Sequence, residues 1–78
     1  MHSPVSDEVR RLLGTALQRP IIDENTSRST EPAWDSLKHL EFVFLLEEHF
    51  GVQLTEDEIS NITNLPQVVQ LVEARRAA

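Results

Sequence analysis

Hydrophobic positions along the chain follow a helical rhythm in four places. From Pro4 to Gln18, Val9, Leu12, Leu13, Ala16 and Leu17 keep the three-and-four spacing of one buried stripe. Ser3 stands where a cap is needed, Pro4 suits the first helical position, and Pro20 cannot continue the helix. A second helix is predicted from Ser36 to Phe50, about 22 Å long at 1.5 Å per residue, with Asp35 as its cap and Gly51 closing its far end. A short third helix fits Thr55 to Ser60, where Thr55 and Glu58 have the spacing of a capping box. The fourth begins at Asn64, with Pro66 in its first turn and Gln67 placed to cap back. Leu65, Val68, Val69 and Val72 form its stripe, and Arg75 and Arg76 suit its negative end. No segment reads as a strand. The expected fold is all-α, a four-helix bundle with three longer helices and a short third, in a single domain over residues 1–78.

Between the first two helices lies a polar run, PIIDENTSRSTEPAWD, from Pro20 to Asp35. Loops this long are uncommon in small domains unless they are functional or disordered. Ile21 and Ile22 are expected to pin its start to the core, and Trp34 its end.

The second helix carries more apolar residues than one buried face can use. On a wheel at about 100° per residue, Phe42, Val43, Leu46 and Phe50 share one side, with His39 inside their span. The opposite side carries Leu37, Phe44, Glu41 and Glu48, with Leu40 and Glu47 toward its flank. Leu37 and Phe44 either pack under the loop or the third helix, or form a docking face of apolar anchors rimmed by carboxylates. Ser36 heads this helix, where unpaired N–H groups and the positive end of the dipole favour a phosphate ester on its hydroxyl. Taken alone, a serine there is also a simple cap.

Charge narrows the partners. Thirteen acidic residues against seven Lys and Arg give a formal charge of −6, which disfavours nucleic acid and favours basic protein surfaces. There is no cysteine, hence no disulfide framework or thiolate metal site. Met1 to Leu17 lacks the pattern of a signal peptide, and no stretch approaches the roughly 20 apolar residues of a membrane span. A cytoplasmic monomer with no membrane partner is the expectation.

Asp35-Ser36-Leu37, followed after Lys38 by HLEFVFLLEEHFGVQLTEDE, resembles the acyl carrier proteins. The resemblance runs through Thr55–Ile59 and ITNLPQVVQLV, strongest from Trp34 to Val72. It implies a covalent 4′-phosphopantetheine arm on Ser36, added from coenzyme A by a phosphopantetheinyl transferase using Mg²⁺. It also implies cargo held as a thioester on the arm's thiol, and a protein that is not an enzyme. Cargo-loading ligases or transferases and downstream enzymes with basic docking surfaces are the implied partners. Asp35 would cap the helix or contact the transferase and its metal. Glu41, Glu47 and Glu48 would meet the partners' basic residues, with Leu37 and Phe44 as anchors. Ala33 replaces a frequent glycine, Trp34 precedes the aspartate, and Lys38 and His39 stand where an acid and a small polar residue are usual. Lys38 would select a different partner or offset its acidic neighbours. These departures look more like carriers of polyketide, peptide, D-alanyl or aminoacyl pathways than of fatty-acid synthesis. An unmodified helical interaction module is the alternative. An enzyme using Asp35, Ser36 and His39 is a remoter one, since so small a domain offers no convincing cleft.

Overall fold

Among the described residues four helices form, joined as the hydrophobic rhythm requires. They are α1 (Pro4–Leu17), α2 (Ser36–Phe50), α3 (Glu56–Asn61) and α4 (Leu65–Ala77). The structure, a computed structural model, describes residues 4–20 and 22–77. The caps expected of Ser3 and Ile21's role as a pin lie outside the described residues. Among the described residues there is no strand, only an isolated bridge between Ser27 and Asn64.

Local chemistry sets the helix ends. α1 stops earlier than Pro20 demands. Gln18 turns left-handed at φ 57°, its N–H donates to the Thr15 carbonyl at 3.3 Å, and the Arg19 N–H donates to the Gly14 carbonyl at 2.9 Å. That is the Schellman pattern. It brings the chain so close that a Cβ on Gly14 would lie 2.9 Å from the Arg19 carbonyl oxygen. α2 ends on Gly51 at φ 66°, whose N–H donates to the Glu47 carbonyl.

The last two helices start one residue later than predicted, because the residues expected at their starts are their caps. Thr55 accepts from Glu58 N while the Glu58 carboxylate accepts from Thr55 N at 2.9 Å, a complete capping box. Asn64 Oδ1 accepts from Gln67 N at 3.0 Å, and Gln67 Oε1 accepts in return from the Thr63 and Asn64 N–H groups.

The core follows the stripes. α1 packs against both α2 and α4. Val9 and Leu13 of α1 meet Phe42 and Leu46 of α2 and Val68 and Val72 of α4 in one cluster, each fully enclosed. Phe50, predicted at the end of the α2 stripe, is only half-buried. It sits at the rim, edge-on to His49 at 4.8 Å and under the Arg76 guanidinium at 5.8 Å.

The long connection is built of turns. Asp23 accepts from the Asn25 and Thr26 N–H groups, and the Ser27 carbonyl accepts from Thr30 and Glu31. Midway, the Arg28 N–H donates to the Thr63 carbonyl at 2.9 Å and ties the loop to the entrance of α4. Arg19 pairs with Glu31 at 3.0 Å across the loop's base. Ile22 and Trp34 are buried at its two ends as expected.

α3 has no fully buried residue of its own and depends on its ties to neighbours. One is an ion pair between Glu58 and Arg75 of α4. The Arg75 hydrogen bond first, then the Thr55 N–H, hold the Glu58 carboxyl at about 2, down from 4.5. Folding thus favours the ionised form. This contribution is complete above the ordinary value of 4.5 and is lost as pH falls through about 2. Wild type should therefore exceed Glu58→Gln in urea midpoint near neutral pH, and the gap should close on acidification through that window. A gap that does not change with pH would show that the pair plays no part. The pair lies at the surface, so added salt should narrow the gap.

Candidate functional site

The start of α2 is fixed by the residues around Ser36, not by Ser36 itself. Asp35, extended at φ −89° and ψ −175°, is the cap: its Oδ1 accepts from Lys38 N at 2.9 Å. The Asp35 carbonyl begins the helical ladder by accepting from His39 N at 2.8 Å. The reading of Ser36 as a simple cap is thereby displaced one residue. Its side chain is exposed, as are Asp35 and Leu37 on either side. By helix geometry the first N–H groups of α2 have no intrahelical acceptor, so an exposed hydroxyl stands at the positive end of a 15-residue helix.

Two anchors flank this position. Trp34, two residues before Ser36, is 2% exposed and lies edge-on to Phe42 at 5.7 Å. His39, three residues after it, is 5% exposed. The Trp34 indole N–H donates to His39 Nδ1 at 3.0 Å, and His39 Nε2 lies 2.8 Å from the Ile59 carbonyl oxygen at the end of α3. An indole nitrogen only donates, so Nδ1 must accept; a carbonyl only accepts, so Nε2 must carry the hydrogen. The ring is therefore neutral with both nitrogens satisfied. This disposes of the Asp35–Ser36–His39 triad, since the imidazole is committed to Trp34 and Ile59. The sequence placed His39 within the span of the apolar stripe without naming partners for its ring. Its position inside the apolar stripe of α2 was the signal that it needed buried partners.

The outward side of α2 is open. Leu37, Leu40 and Phe44 are 64%, 53% and 71% exposed, so neither the loop nor α3 covers them. Glu41 and Glu48 are exposed beside them. Lys38 Nζ lies 3.4 Å from Glu41 Oε2, so its charge is partly spent on that neighbour. Glu47 is placed differently from the other two acids. It is half-buried, and its Oε2 accepts from Leu54 N at 2.9 Å, bracing the turn between α2 and α3. On the wheel it stands only about 40° from Val43, close enough to the stripe to turn inward.

A family model described as "Phosphopantetheine attachment site" matches residues 5–72. Among curated proteins, acyl carrier protein 2, chloroplastic, of Spinacia oleracea is 34% identical over 74 residues, covering 95% of this chain and 55% of that protein. Acyl carrier protein 4, chloroplastic, of Arabidopsis thaliana is 35% identical over 69 residues, covering 88% and 49%. The chain spans about half the length of the curated relatives it matches. In fold it is similar to the solution structure of holo acyl carrier protein from Geobacter metallireducens, with a TM-score of 0.84 at 23% identity over 96% of this chain and 88% of that one. The acyl carrier protein of Thermotoga maritima gives 0.72 at 17% identity, over 96% and 94%. The chain belongs to the acyl carrier protein family, and the model it matches is that of the site where phosphopantetheine is attached. The site suits that group, for the Ser36 hydroxyl is exposed and Asp35 supplies the cap in its place. Among the described residues no helix is long and apolar enough to cross a membrane.

Proposed function

We propose that Ser36 is the attachment residue, and that the open side of α2 docks the enzymes that modify, load and unload the carrier. One observation carries this reading: the cap of α2 rests on Asp35, which leaves an exposed hydroxyl at the helix head beside an apolar and acidic face. The arm supplies a thiol that the cysteine-free chain lacks, and with it a thioester to cargo. Asp35 uses Oδ1 for the cap, and its other oxygen is available to the transferase or its Mg²⁺. Leu37 and Phe44 act as anchors, with Glu41 and Glu48 steering basic partners. Lys38, two residues from Ser36 and paired with Glu41, selects among those partners.

The cargo proposed is that of a specialised pathway, polyketide, peptidyl or aminoacyl. The support is Trp34 and His39, which form one buried unit in this chain: Trp34 precedes the aspartate, and His39 stands where a small polar residue is usual in carriers of the fatty-acid type. The test is intact mass after treatment with a broad-specificity phosphopantetheinyl transferase and coenzyme A, then with candidate aminoacyl or acyl ligases. Loading by a fatty-acyl ligase alone would sink the specialised reading and leave the carrier reading standing.

Steering has its own test. Exposed charges act mainly on association and are screened over about 8 Å at physiological salt. Glu41→Lys and Glu48→Lys should each slow loading severalfold at low salt, the deficit shrinking as salt rises. Glu47→Lys should also lower the urea midpoint, because the Leu54 N–H loses its acceptor. Rates that are equal for wild type and variants at both salt concentrations would remove these acids from docking.

A further inference from the structure

Ser36 has an anchor on each side, and the two anchors are bonded to each other. Trp34 fixes the chain before it and His39 the helix turn after it, and the bond from the indole to Nδ1 closes a bracket around residues 34–39. The bracket is enclosed: Trp34 and His39 are 2% and 5% exposed, their rings lie 6.1 Å apart at 30°, and Phe42 packs against the indole edge. On its far side the same imidazole reaches the Ile59 carbonyl of α3. The hydroxyl between the anchors makes no structural contact of its own that would orient it, so its direction is set by the backbone they hold.

We propose that His39 is a positioning residue for the reaction at Ser36, acting through Trp34. Losing the indole bond frees the segment entering α2 and lets the hydroxyl sample orientations from which transfer is slow. The bond to Ile59 serves a separate task, holding α3. The inference rests on Ser36 being the attachment residue. It is distinct from docking, because Trp34 and His39 are buried while the anchors and acids of the docking face are exposed.

Two substitutions divide the imidazole's tasks. In His39→Asn, the side-chain oxygen occupies the place of Nδ1, preserving an acceptor for the indole and giving up the donor to Ile59. In His39→Gln, the side-chain nitrogen occupies the place of Nε2, preserving the donor to Ile59 and giving up the acceptor. Trp34→Phe removes the indole donor while keeping an aromatic ring. Arm addition to each would be followed by intact mass with a broad-specificity transferase, varying the carrier concentration to separate kcat from KM. Circular dichroism would give each variant's folded fraction.

Misplacing a reacting group costs heavily, by up to about a hundredfold for 1 Å. The expected result is a kcat lowered roughly tenfold in both Trp34→Phe and His39→Gln, with KM within about twofold of wild type, and a kcat near wild type in His39→Asn. A merely structural role gives another pattern. Partial unfolding reduces the competent carrier and raises apparent KM by the inverse of the folded fraction, while kcat at saturation is unchanged. That pattern overturns the proposal, as does a His39→Asn variant as slow as His39→Gln, or a wild-type kcat in either Trp34→Phe or His39→Gln. Failure of the attachment reading looks different: wild type gains no arm, or Ser36→Ala gains one.

Discussion

After exhaustive treatment with a phosphopantetheinyl transferase and coenzyme A, Ser36→Ala is expected to keep its unmodified mass and wild type to gain one arm. The fold should barely respond. The substitution removes an exposed hydroxyl from the first turn of α2, while the bond that caps the helix, Asp35 Oδ1 to Lys38 N, remains. A shift in thermal midpoint below about 4 °C is expected, the size that corresponds to less than about 1 kcal/mol in a domain this small. Asp35→Ala should show the converse. It takes the cap, typically about 1 kcal/mol, yet leaves the nucleophile in place. Stability thus falls in Asp35→Ala and not in Ser36→Ala, while the attachment point is lost only in Ser36→Ala; arm addition to Asp35→Ala should reach completion, at a rate lowered by the loss of its carboxylate from the transferase contact. Arm addition to Ser36→Ala would sink the assignment whatever its stability.

The second large effect separates two phenylalanines on one helix. Phe42 and Phe44 are two residues apart, which on an α-helix turns them to nearly opposite sides. Phe42 is fully enclosed and touches the indole of Trp34, whereas Phe44 is 71% exposed. Phe42→Ala should cost about 3–5 kcal/mol through lost burial and an unfilled cavity. Against total stabilities of about 5–15 kcal/mol, that leaves much of the chain unfolded or close to it. Phe44→Ala should leave the urea midpoint unchanged and instead weaken binding to the loading enzyme by about tenfold or more, if the ring is buried on docking. The lost contact is apolar, so this deficit should persist as salt is raised, unlike those of Glu41→Lys and Glu48→Lys. Urea titration and equilibrium binding of the two variants decide the matter. A drop in midpoint for Phe44→Ala comparable to that for Phe42→Ala would mean the ring packs against the fold. Unchanged binding would remove it from the interface.

Features that depend on residues close in sequence were legible beforehand. The Thr55–Glu58 box, the Asn64–Gln67 pair, Asp35 at the head of α2 and Gly51 at its end need only a turn or two of chain, and each stands where the pattern placed it. The buried side of α2 was legible too, since periodicity alone separates Phe42 and Leu46 from Phe44. What was missed depends on groups brought together from far apart. The role of His39 requires the Ile59 carbonyl twenty residues away. The inward turn of Glu47 requires the Leu54 N–H to face it once the chain has reversed at Gly51. The end of α1 was misattributed to Pro20 because a left-handed Gln18 has no sequence mark like that of glycine; its Schellman bonds do the stopping instead. The long polar run showed the pins at its two ends but not the tether midway, which is made by backbone groups that every residue has.

That tether divides the connection into two spans with different freedom to change length. Between the buried Ile22 and Arg28, which is held to Thr63, the chain only has to join two fixed points. Extra residues there would cost chain entropy that grows slowly, about 0.6 kcal/mol for each doubling of length. Downstream, every residue between Ser29 and Trp34 sets where the indole enters the bundle. An added residue would have to be absorbed as a bulge, or would carry the Trp34–His39 bracket out of register. Insertions and deletions tolerated by this fold should therefore accumulate before the tether, while the stretch after it works as a spacer of fixed length.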